Sequence, residues 1–156
     1  MTIRAGAKID AQDFDVPDVV TAFGNGTNTI VSAAFAVMPT TTCTANLTNP
    51  HPTASLLTLV TYGAWMNCVA ANDVRMSLDI SGALTIAAGI GGGAAVGWGE
   101  IPIVSGAVGS LQLQATITVA LPPGTTTFKT FGLRTGAGTV QINYPTIRVV
   151  PLAYIF

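Results

Sequence analysis

Apolar and polar residues alternate along most of this chain. Val74, Met76, Leu78 and Ile80 interleave with Asp73, Arg75, Ser77 and Asp79. Leu111, Leu113, Ala115, Ile117 and Val119 are set against Gln112, Gln114, Thr116 and Thr118. Val140, Ile142 and Tyr144 alternate with Thr139, Gln141 and Asn143, and Cys43, Ala45 and Leu47 with Thr42, Thr44 and Asn46. Successive side chains of a strand point to opposite faces, so a period of two predicts strands with one buried and one wet face. Leu56 to Val60 is more continuously apolar and suits a strand buried on both faces. Further β segments are expected over Thr29 to Val37, Ala64 to Ala70, Thr125 to Leu133 and Thr146 to Phe156. Turn-forming stretches separate them: FGNGTN, NPHP, SG, GIGGG, LPPG and TGAG. LPPG suits a type II turn, with proline and then glycine at its centre. One helical turn is plausible, capped by Asp10 before AQDF. About eight to ten short strands at this spacing predict a sandwich or a barrel.

Composition narrows the function classes. The chain has 156 residues, enough for one domain with a substantial core. Apolar residues make up 49% and charged residues only 8%, which argues against disorder. The most apolar stretch, Ala54 to Ala70, is interrupted by Thr58, Thr61, Gly63 and Asn67, so no membrane insertion is expected. No apolar leader precedes the first strand, so no export signal is expected. Six of the thirteen charges lie in residues 1–18 and seven in residues 19–156. No basic patch suits a nucleic-acid backbone. A body this poor in charge suggests that part of its surface is a subunit interface, since interface cores are depleted in charge.

Few residues offer chemistry. The glycine-rich stretch AAGIGGGAAVGWGE lacks the lysine of a phosphate loop and is followed by nothing helical, so it reads as a connection. His51, the single histidine, stands between Pro50 and Pro52 and reads as a rigid turn residue, not a metal ligand or catalytic base. Cys43 and Cys68 have no metal spacing. Free buried thiols are favoured over a disulfide, which needs the two Cα atoms within about 7 Å. Trp65 is expected in the core. Trp98, among glycines, either packs on a neighbouring subunit or stacks on a sugar ring as a receptor contact. Asp73 and Asp79 fall on the polar face of one strand, and with Glu100 form no spaced acid–base pair. No cofactor, no metal and no enzymatic activity are expected.

The residues also carry a resemblance. RAGAKIDAQDF looks like the opening of small actinobacteriophage virion proteins. NDVRMSLDISGA, AVGWGE and TITVALPPGTTTFKTFGLRTGAGTVQINYPTIRVVPLA are similar to the jelly-roll modules of phage tail fibres and head appendages. The resemblance covers nearly the whole chain. It implies a jelly-roll β-sandwich forming a tumour-necrosis-factor-like homotrimer at the virion surface. Three roles then compete. The first is a capsid decoration protein that cements the major capsid protein. The second is a minor tail, tail-tip or short-fibre adhesin contacting a host glycan. The third is an enzyme or a cellular carbohydrate-binding module. Absence of a collagen-like or coiled-coil shaft puts the decoration role first.

Residues 1–18 read as a docking arm, the alternative being an edge strand and loop that cover one end of the sandwich, and 19–156 as the jelly-roll domain. Ile3, Ile9 and Phe14 would fill pockets on a partner, with Asp10 and Asp13 pairing with basic groups at the rim. The partner would be the capsid protein or a tail-hub protein. Light scattering of the full chain is expected to give three times 15.9 kDa. Deleting Met1 to Phe14 is expected to leave a folded trimer that no longer joins particles lacking the native protein. A truncated trimer that binds as well as the full chain would move docking to the sandwich loops.

Overall fold

A computed structural model of the chain describes residues 15–40, 42–68, 73–88, 101–102, 109–136 and 140–156. Ten strands cross them: β1 (Val20–Phe23), β2 (Thr27–Ile30), β3 (Ala36–Val37), β4 (Thr44–Asn49), β5 (Ser55–Cys68), β6 (Asp73–Gly82), β7 (Ile101–Pro102), β8 (Gly109–Leu121), β9 (Gly124–Thr135) and β10 (Val140–Ile155). All pairings are antiparallel. One sheet has the order β1-β10-β5-β8, with β2 also on β10. The other has the order β3-β9-β6-β7, with β4 also on β9. Taking β1 with β2 and β3 with β4 as interrupted single strands leaves eight. These pair first with last, second with seventh, third with sixth and fourth with fifth. That nesting is a jelly-roll sandwich. The candidate helical turn at Asp10 lies outside the described residues.

The alternating positions build the core. Leu56, Val60, Tyr62 and Met66 of β5 face Met76, Leu78, Ile80 and Phe128 of the opposite sheet's strands within one buried cluster. One buried polar residue, Asn49, is drawn into a turn at its rim. Asn49 donates through Nδ2 to the carbonyls of Ala54 and Leu121, both at 2.9 Å, and its Oδ1 accepts the His51 amide at 3.0 Å. Cys43 is a free, buried thiol. Burial pushes its pKa up to about 11, so at neutral pH it is protonated and inert.

Three expectations change in detail. Leu56 to Val60 is buried on one face only: Leu57 and Leu59 stay half-exposed, because the second sheet covers just one side of β5. That stretch and the one beginning at Ala64 are one strand, since Gly63 keeps its pairing with Gln114. Thr29 to Val37 divides into β2 and β3, which join different sheets.

Gly82 ends β6 and Gly124 begins β9, both at the same end of the β6–β9 pairing, with φ of 99° and 112°. Only Gly82 is also confined by backbone: a Cβ there would collide with the Thr125 carbonyl, whereas at Gly124 it would meet only the Ala83 methyl at 3.4 Å. Both alanine substitutions force an unfavourable φ, a cost of about 1–3 kcal/mol. Gly82→Ala is expected to cost more than Gly124→Ala in urea denaturation, because only it must also displace backbone. Equal costs would mean that the Thr125 carbonyl yields freely.

Candidate functional site

The residues singled out for docking, Ile3, Ile9, Asp10, Asp13 and Phe14, lie outside the described residues, as does Trp98. His51 is where its flanking prolines suggest. Its Nδ1 accepts the amides of Ala54 at 2.7 Å and Thr53 at 3.2 Å, so the ring closes the β4–β5 turn. The ring also packs on Tyr154 and Phe156, with centroids 5.0 and 5.4 Å away. Tyr154 donates its hydroxyl to the Asp15 carbonyl at 3.3 Å. Its pKa is raised, by burial first and by the Asp15 charge second. Among the described residues no three His, Cys, Asp or Glu side chains gather as a metal set, and no helix is long and apolar enough to cross a membrane.

A different constellation stands on the outer face of the first sheet. Trp65 and Tyr144 are each 45% exposed and Phe23 is 62% exposed. Together with Gly63, Ala64, Gln112, Gln114 and Thr146 they line a shallow groove of about 160 Å³. The Phe23 and Tyr144 rings lie parallel, 6° apart, with centroids separated by 6.2 Å, within the range of offset stacking. The register explains the assembly. Phe23 pairs with Thr146, Thr146 with Gly63, and Gly63 with Gln114, while Trp65 pairs with Gln112. Cross-strand partners point to the same face, so these rungs deliver rings and amides side by side. Neither glutamine amide has a hydrogen-bond partner among the described residues.

Tyr144 is placed by a bulge. Between Asn143 and Thr146 the register of β10 against β5 shifts, and Pro145 lies in that interval. A proline has no amide to give a central strand, and a bulge is where one is tolerated. A second shift falls between Pro151 and Ala153. At the first, Tyr144 takes φ of 51°, the one described non-glycine residue with positive φ. Two bonds to the β1–β2 connection hold it: the Tyr144 amide donates to the Gly26 carbonyl at 3.0 Å, and the Gly24 amide to the Pro145 carbonyl at 2.8 Å. Next to it, Asn143 is only 7% exposed and its Oδ1 has no partner. Backbone strain beside an unsatisfied buried oxygen is the kind of cost found at functional sites.

Two expectations are corrected here. Trp65 is outside the core: Tyr62, Ala64 and Met66 are the inward set of β5, and Trp65 is out of phase with them. Counting that phase from Leu56 is the sequence signal that would have found it. Tyr144, read as continuing the inward phase of Val140 and Ile142, is turned outward by the extra residue of the bulge.

No protein-family model matches the chain, and no curated protein matches it. A solved chain to which it is similar is the enzymatically active domain of tailspike protein 4 of bacteriophage CBA120. The identity is 11% and the TM-score 0.31, over 90% of this chain and 20% of that one. This chain thus spans about a fifth of the length of that neighbour. The expectation of no enzymatic activity is corrected on this finding, since that neighbour is described as enzymatically active. The physical reason is that folding, not sequence spacing, brings carboxylates together. Asp10, Asp13 and Glu100 are outside the described residues, so the unpaired spacing of the acids excludes nothing. The likeness is too slight to assign an activity.

Tyr144→Asn keeps a residue that tolerates positive φ and removes the ring. Relief of strain, about 1–3 kcal/mol, opposes loss of the Phe23 stack, about 0.5–1.5 kcal/mol. Unfolding in urea is expected to show stability unchanged or raised. A loss of several kcal/mol would make the ring a structural prop, not a contact residue.

Proposed function

We propose that this chain is a glycan-contacting module of a phage particle, in the tail-tip or short-fibre role. The observation that carries it is the grouping of Phe23, Tyr144 and Trp65, each 45% or more exposed, around a groove with two free amides. A sugar ring has apolar C–H faces and a rim of hydroxyls. Flat aromatic faces suit the first. Gln112 and Gln114 suit the second, because an amide both donates and accepts. The groove is smaller than a pocket that engulfs a small molecule, which runs to about 300–1,000 Å³. It fits one unit of a longer chain lying across the sheet. The phage setting rests on the resemblance of the turn and strand motifs. Capsid decoration, placed first from sequence, gives an exposed and strained aromatic groove no task.

A homotrimer belongs to the same proposal. Where β1 begins and β10 ends, Val19, Leu152, Ile155 and Phe156 are 45–70% exposed. Association of copies there would bury them and leave the groove, at the other end of β10, open. Three grooves on one body would turn a weak single contact into avid binding.

A panel of neutral and acidic oligosaccharides at millimolar concentration, followed by NMR, is expected to shift the Trp65 indole and the Gln112 and Gln114 amides. Trp65→Ala is expected to weaken binding at least about tenfold, on the order of 1.4 kcal/mol, with the melting temperature little changed. Binding that survives Trp65→Ala unchanged would overturn the reading.

A further inference from the structure

The five strands of the first sheet contain one charged residue, Arg148. It stands on the outer face, exposed, with no ion-pair or hydrogen-bond partner among the described residues. Its rung is Thr21, Arg148, Thr61 and Thr116. The neighbouring rung is Phe23, Thr146, Gly63 and Gln114, which floors the aromatic groove. The two rungs are two residues apart along each strand, roughly 7 Å. The ground around Arg148 is hydroxyl-rich: Thr61 and Thr116 share a hydrogen bond at 3.2 Å, and Thr146 donates to the Gly63 carbonyl at 3.3 Å. The guanidinium is therefore the one strong, directional donor that a chain leaving the groove along β10 would meet.

We infer that Arg148 is an anion subsite that makes this groove selective for an acidic carbohydrate. One sugar lies on the rings of Trp65, Tyr144 and Phe23, and its neighbour presents a carboxylate or phosphate to Arg148. A guanidinium offers two parallel N–H donors that match either anion in a bidentate pair. No other charge on the strands of this sheet competes for it or repels the ligand. Thr21, Thr61 and Thr116, on the same rung as Arg148, supply hydroxyls for that neighbouring sugar. The inference rests on the glycan reading of the groove and adds the class of glycan. A bland alternative exists: a lone charge on an uncharged outer face also discourages face-to-face association of copies. That role needs any charge, whereas the subsite needs a fork.

The test compares an oligoglucose, the matching oligoglucuronate and an oligoglucose phosphate, titrated by calorimetry against the full chain and its Arg148→Gln, Arg148→Lys and Trp65→Ala variants. The wild type is expected to bind at least one acidic probe about tenfold more tightly than the neutral one. That preference should shrink as salt rises, while neutral binding should not. Which acidic probe is preferred distinguishes carboxylate from phosphate. Arg148→Gln is expected to abolish the preference yet keep neutral binding, and Arg148→Lys to restore only part of it. Trp65→Ala is expected to weaken all three probes. A wild type without preference, or one whose preference survives Arg148→Gln, overturns the anion subsite and leaves the groove's glycan role standing. A preference fully restored by Arg148→Lys reduces the residue to a point charge and also overturns the bidentate site. Trp65→Ala binding like the wild type, or no binding by any probe, overturns the glycan reading and the subsite with it.

Discussion

The register between β5 and β10 governs everything on the outer face of the first sheet. In that pairing Asn143 opposes Trp65 and Thr146 opposes Gly63, with one extra residue on β10 between them. A slip by a single residue would send the whole outward set inward. Tyr62, Met66, Ile142 and Ile147, fully buried on the other side, forbid that slip, because each would exchange the core for water. The groove is thus fixed by residues that never touch it. The bulge does the remaining work: it absorbs Pro145, restores phase for Ile147 and Val149, and turns Tyr144 out to meet Phe23.

Strain and burial are distributed unevenly around this arrangement. At the rim of the core Asn49 is satisfied in detail, bridging two carbonyls beneath the His51 turn. The unsatisfied Oδ1 of Asn143 and the left-handed Tyr144 lie together at the groove instead. Backbone strain and an unpaired buried oxygen coincide at this one surface spot, which marks a position held for a purpose other than stability.

The fold was largely legible in the sequence because a strand's period of two is local. Cys43 to Leu47 has the inward and outward sets that alternation predicts, Val74 to Ile80 has them except at Ser77, which is polar yet fully buried, and SG and LPPG end strands where glycine supplies a positive φ. His51 was also legible, since two flanking prolines leave it little but a turn. The groove was not legible, for two physical reasons. Trp65 is flanked by Ala64 and Met66, so hydrophobicity hides it and only phase reveals it. Tyr144 depends on a bulge, which changes phase by one without any change in composition; Pro145 is the lone local hint. Convergence of Phe23, Tyr144, Trp65 and Gln112 is a product of strand order, which no spacing in the chain encodes.

That same strand order sets the pace of folding. The first sheet is stitched through its centre by β10, whose partners β1 and β2 lie far away in the chain: Asn28 and Ile142 are 114 positions apart, and Asp15 and Tyr154 are 139 apart. Loops of that length must close before the contacts that reward them exist, so nucleation is costly and slow. While it waits, one edge of β5 is unpaired, a long edge without one charged residue from Ser55 to Cys68, a ready template for pairing with another copy. Yield on expression should therefore be governed by a race between β10 docking and bimolecular strand pairing, and dilution, rather than added native-state stability, is the lever that favours the first.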